Sequence, residues 1–182
     1  MRAQKTTLPS AVLSSVFGLA SVFGLAVAAL TASAGQAAEP KLVVTTDAGS
    51  DPESFTEAPD GSLILGSAAK PVIYRAAKGE TQGKVFIDVS ATEGNVSFLG
   101  VLADGPTNAL WACQIIGTGK NRHAILRSFD LTNGAPKFRW PLPGDINLCN
   151  DFVVGPDKAL YVSDTFGSKI SVSSPALRSP NC

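Results

Sequence analysis

The residues most able to do nucleophilic, redox or metal chemistry in this 182-residue chain are three cysteines, Cys113, Cys149 and Cys182, and one histidine, His123. In an oxidising compartment three cysteines make one pair and one leftover thiol. Cys113 falls on an expected strand and Cys149 at the entry to a later one, so a Cys113 to Cys149 disulfide and two small buried hydrophobes are both open readings. Cys182 is then a free thiol in the tail. The cysteines are not clustered and His123 has no second ligand at metal spacing, which argues against a zinc site of Cys and His and makes His123 a solvated loop residue. Gly117-Thr118-Gly119-Lys120 is rejected as a phosphate loop, because position 114 is Gln where the first Gly belongs and Asn121 follows the lysine. Trp111, Phe138 and Trp140 could stack on a sugar ring, but aromatics between packed sheets are core residues first and are read as such.

These side chains must be positioned by strands. After Pro40 the sequence is a succession of short alternating or β-branched runs bounded by Gly, Pro, Asp and Asn, with no stretch of helical period. Strands are expected at 42–46, 54–57, 63–66, 72–76, 85–89, 96–103, 110–113, 125–130, 137–140, 151–154, 160–163 and 169–172. Asp60-Gly61, Asn133-Gly134 and Pro156-Asp157-Lys158 supply the turns that join them. The segment Pro59-Asp60-Gly61-Ser62-Leu63-Ile64-Leu65 recurs as Pro156-Asp157-Lys158-Ala159-Leu160-Tyr161-Val162, and more loosely as Pro106-Thr107-Asn108-Ala109-Leu110-Trp111-Ala112. The matched leucines, 63, 110 and 160, are spaced by roughly the 40 to 50 residues of one four-stranded propeller blade. The expected fold is therefore all-β, a partial β-propeller of about two to three blades over residues 39–172. In the middle copy the polar stretch Gly117 to Arg122 reads as an extended hairpin loop.

Residues 1–38 read as a signal peptide: Arg2 and Lys5, then an apolar run from Ala11 to Leu30, then small residues ending in Ala37-Ala38. A duplicated Ser-Val-Phe-Gly-Leu-Ala lengthens the apolar run towards membrane-spanning size, so an uncleaved anchor is the alternative. The expected location is periplasmic or secreted. Without Arg2 and Lys5 the remainder carries 13 basic against 15 acidic residues. That balance gives no reason to expect nucleic acid, or a membrane after signal cleavage, as a partner.

The run Cys149-Asn150-Asp151-Phe152-Val153-Val154-Gly155-Pro156-Asp157-Lys158-Ala159-Leu160-Tyr161-Val162-Ser163-Asp164-Thr165, with Pro52-Glu53-Ser54 earlier, resembles the gluconolactonase and regucalcin family of six-bladed propellers. The resemblance implies a divalent metal, calcium or zinc, at the mouth of the central channel, polarising a lactone carbonyl and activating water. It implies Glu53 as a metal ligand, and Asn150 as a contact to the metal or the substrate. Asp151 is expected to brace the turn by accepting backbone hydrogen bonds. A hard cation suits such oxygen donors, and waters can complete its shell. Without the resemblance, Glu53 would be a solvated carboxylate at a strand start and Asn150 a turn former. Ser54 stands where the family usually has glycine.

The later blades that would complete the family's site have no counterpart before Cys182, and residues 173–182 form an irregular tail with two prolines. The sequence reading accordingly expects a truncated chain with open sheet edges. Two functions follow: metal-dependent hydrolysis of a sugar lactone or similar ester, or a non-catalytic binding module that self-associates through those edges. A remnant without function is the third reading.

Overall fold

The computed structural model describes residues 44–45 and 47–173. Twelve strands among them form three sheets. The first contains β1 (Val44–Thr45), β2 (Phe55–Glu57), β3 (Leu63–Leu65), β4 (Val72–Ala76) and β5 (Gln82–Asp88) in the order β1-β5-β4-β3-β2. It is antiparallel except that β1 lies parallel to β5. The second is an antiparallel meander of β6 (Val96–Asp104), β7 (Ala109–Ile116), β8 (His123–Asp130) and β9 (Pro136–Pro141). The third consists of β10 (Cys149–Val154), β11 (Leu160–Asp164) and β12 (Lys169–Val172). The only helical elements among the described residues are two three-residue 3-10 turns, and no helix there is long and apolar enough to cross a membrane.

Alternation along the strands explains how the sheets stack. In β7 every residue but the last is buried, because the strand feeds two cores at once. Leu110 and Ala112 point towards the first sheet and pack with Ile64, Ile73, Phe98 and Phe129. Trp111, Cys113 and Ile115 point the other way and pack with Phe152, Leu160 and Val162 of the third sheet. A strand buried on both faces reads as one apolar run, as Ala109-Leu110-Trp111-Ala112-Cys113 does. The expected core role of the aromatics is met: Trp111 is 1 % exposed, and Phe138 packs edge-on against it at 6.1 Å.

Each of the twelve expected strands has its counterpart; β4 and β12 keep their expected ends and the others shift. β7 grows the most, from the expected 110–113 to Ala109–Ile116. In β7 and β8 the growth takes up residues on both sides of the middle hairpin, leaving Gly117 to Arg122 as its loop. His123 is exposed at the start of β8, as a solvated residue should be. The signal segment 1–38, Cys182 and the tail beyond residue 173 lie outside the described residues.

Candidate functional site

The opening strands of the three sheets, β2, β6 and β10, run beside one another. Thr56 Oγ1 accepts the Ala103 N–H at 3.1 Å, and the Phe98 N–H donates to Ser67 O at 2.8 Å, tying the first two sheets at this seam. Two glycines permit the close approach. A Cβ on Gly66 would sit 2.6 Å from Phe98 O, and one on Gly100 would sit 2.6 Å from Asn150 O and 3.0 Å from Asp151 Cα.

Cross-strand register places equivalent residues in the three sheets. Glu57 faces Leu63, Ala103 faces Leu110 and Val154 faces Leu160. Four residues before each lie Glu53, Leu99 and Asn150, so the two expected site residues occupy the same repeat position in the first and third sheets. The middle sheet fills that position with Leu99, which packs into the core shared with the third sheet. This equivalence could have been found in the sequence, since the step from Pro59 to Pro156 equals that from Glu53 to Asn150.

Glu53 is exposed just ahead of β2 and makes no ion pair or side-chain hydrogen bond among the described residues. Its carboxyl is raised above the ordinary glutamate value, first by partial desolvation and then by the negative charge of Asp151.

Asn150 is half-buried, and its amide bonds nothing among the described residues. The turn work falls to its neighbour: Asp151 Oδ1 accepts the Phe152 N–H at 2.8 Å. The Asp151 N–H donates to Ser163 Oγ at 3.0 Å, and that hydroxyl donates back to Asp151 O at 3.1 Å. This clasp holds the irregularity in register between Cys149 and Phe152, which directs Asn150 out of the ladder.

Two buried polar residues aim the segment that enters β10. Asn147, 2 % exposed, accepts the Ala124 N–H at 2.5 Å and donates to Leu142 O and Gly144 O at 2.9 and 3.0 Å. Asp164, 1 % exposed, accepts the N–H groups of Leu148 and Gly167, both at 2.9 Å. Cys113 and Cys149 form a disulfide with Cα atoms 5.3 Å apart, which pins the start of β10 to β7. The open choice between a disulfide and two buried thiols is thus resolved in favour of the bond.

A carboxylate, an amide oxygen and a second carboxylate nearby are hard donors, and like charges held close favour a bound cation. That chemistry fits calcium better than a thiolate-seeking metal. The set is small: no group of three or more His, Cys, Asp or Glu side chains converges among the described residues. Sequence reasoning passed over Arg122, which sits at the same end of the sheets, in the loop before β8. Its guanidinium lies 6.0 Å from the ring of Phe166 in the β11–β12 turn.

No protein-family profile matches the chain, and no curated protein matches it. Among solved structures it is similar to an oxidoreductase described as a glucose dehydrogenase from Thermus thermophilus, with a TM-score of 0.51 and 17% identity over 68% of this chain and 43% of that one. The described residues form three blades of a β-propeller. A second similar structure is the PQQ-bound aldose sugar dehydrogenase of Streptomyces coelicolor, with a TM-score of 0.45, 21% identity, and coverage of 67% and 40%. The chain therefore spans less than half the length of each of these two proteins.

Proposed function

We propose that the chain contributes Glu53 and Asn150 to a metal-dependent lactonase-type site, acting on a sugar lactone or similar ester. The observation that carries this reading is the shared repeat position of Glu53 and Asn150, both uncommitted, ahead of β2 and in β10, the two strands that each pack against β6. A divalent cation, when bound, supplies Lewis acidity towards an ester carbonyl. Glu53 and Asn150 would hold it through carboxylate and amide oxygens. Asp151, its backbone fixed by Ser163, would add negative charge beside the site. The Thermus protein's description as a glucose dehydrogenase supports a sugar-like substrate class and says nothing for hydrolysis. Export to the periplasm or medium is part of the same proposal and rests on residues 1–38.

The test is hydrolysis of glucono-1,5-lactone by the purified chain with calcium or zinc and with chelator. The reading expects metal-dependent turnover that Glu53→Gln removes. Turnover unaffected by chelator or by Glu53→Gln would overturn it.

A non-catalytic binding module is the second reading, favoured by the open face of the third blade. Val153, Tyr161 and Val172 stand in one cross-strand row, and Val153, Ile170 and Val172 are 61%, 61% and 52% exposed. It expects oligomers and no turnover.

A further inference from the structure

We propose that the pocket beside Arg122 binds an oxyanion, the carboxylate or phosphate group of a small molecule. The pocket has a volume of about 310 Å³ and lies between the entry of β6, the end of β7 and the loop that follows β3. Its polar wall is formed by Asn95, Ser97, Thr118 and Arg122. Arg122 is half-buried and has no carboxylate partner among the described residues, where five other lysines and arginines are ion-paired. Its Nε is fully shielded and has no hydrogen-bond acceptor. A guanidinium held partly out of water without a counter-charge is unfavourable, and an oxyanion in the pocket would neutralise it through the terminal Nη groups.

Phe166 covers the guanidinium, which leaves its edge for hydrogen bonding in the plane. The side chains of Asn95, Ser97 and Thr118 make no hydrogen bond among the described residues, so an amide and two hydroxyls are available to the remaining anion oxygens. No acidic residue lines the pocket. The same loop that walls it, at Ala68, donates its N–H to Asp51 O at 3.0 Å, two residues before Glu53. The pocket thus belongs to the Glu53 end of the blades, yet its chemistry does not depend on the lactonase reading.

The test is calorimetric titration of the full chain at low ionic strength, without metal, using inorganic phosphate in one arm and 6-phosphogluconate in the other. Saturable binding is expected, weakened at least about tenfold in Arg122→Gln and several-fold in Thr118→Val, with unchanged thermal melts. Tighter binding of 6-phosphogluconate than of phosphate assigns the anion to a sugar-acid ligand; equal binding assigns it to a free anion. Glu53→Gln leaves phosphate binding intact, so loss of the metal site and loss of this one are separately visible. Absence of saturable binding in both arms, or wild-type affinity in Arg122→Gln, would overturn the proposal.

Discussion

At the scale of single residues, the Glu53 carboxyl gives the site a pH dependence. Its carboxyl is raised by desolvation and by Asp151, so the folded value lies above the unfolded one. The folded state then binds the proton more tightly, and stability from this group is full at low pH and lost as pH rises through the folded value. Glu53→Gln should match wild type below the ordinary glutamate pKa of 4.5 and be equally or more stable at neutral pH, which thermal denaturation across pH will measure. Asp151→Asn removes the like charge, so the Glu53 titration followed by carboxyl NMR should shift towards lower pH. An unchanged titration would mean that Asp151 does not act on Glu53. The proton and a cation would compete for Glu53, so metal affinity should fall with acidification at a higher pH than for an ordinary glutamate.

At the scale of elements, the approach of β6 to β10 depends on Gly100. Gly100→Ala would drive a Cβ against Asn150 O and Asp151 Cα, forcing the strands apart at a cost of about 1–3 kcal/mol and displacing Asn150. Chemical denaturation will read the first effect and metal titration the second. The disulfide closes a separation of 36 residues, so Cys149→Ser should destabilise by roughly 2–4 kcal/mol in the same measurement. The strands themselves were legible because runs such as Val72-Ile73-Tyr74 are β-branched or aromatic and lie between turn-forming residues. Their lengths were not: Gln114 interrupts the apolar run of β7, and burial of that amide is made possible by Glu93, whose Oε2 accepts from Gln114 Nε2 at 2.7 Å. Glu93 belongs to the connection before β6, and such a pairing across 21 residues has no local signature. For the site, the residue types of Glu53 and Asn150 and their shared repeat position were readable. The influence of the Asp151 charge on the Glu53 carboxyl was not, because it crosses between blades. Arg122 was hidden for the same reason, since its partner ring, Phe166, comes from the third blade.

At the scale of the whole molecule, the three blades bury their facing surfaces in two cores and leave apolar side chains at both ends of the stack. Phe55 and Val85 in the first blade are 71% and 48% exposed, and the third blade presents Val153, Ile170 and Val172. Exposed apolar faces of this kind mark association surfaces. Val153→Lys combined with Ile170→Lys should therefore shift sedimentation towards monomer without lowering the thermal midpoint; identical sedimentation would separate these residues from assembly. The blades also bring the entries of their opening strands to one end, where the central proposal resides, that Glu53 and Asn150 would hold a divalent cation. Calcium titration of the purified full chain at neutral pH, alongside Glu53→Gln, is the most direct measurement. The account predicts saturable binding with one site per chain, weakened at least about tenfold by the substitution, the loss expected when a charged ligand is removed. Absence of saturable binding, or equal affinity in Glu53→Gln, would contradict it.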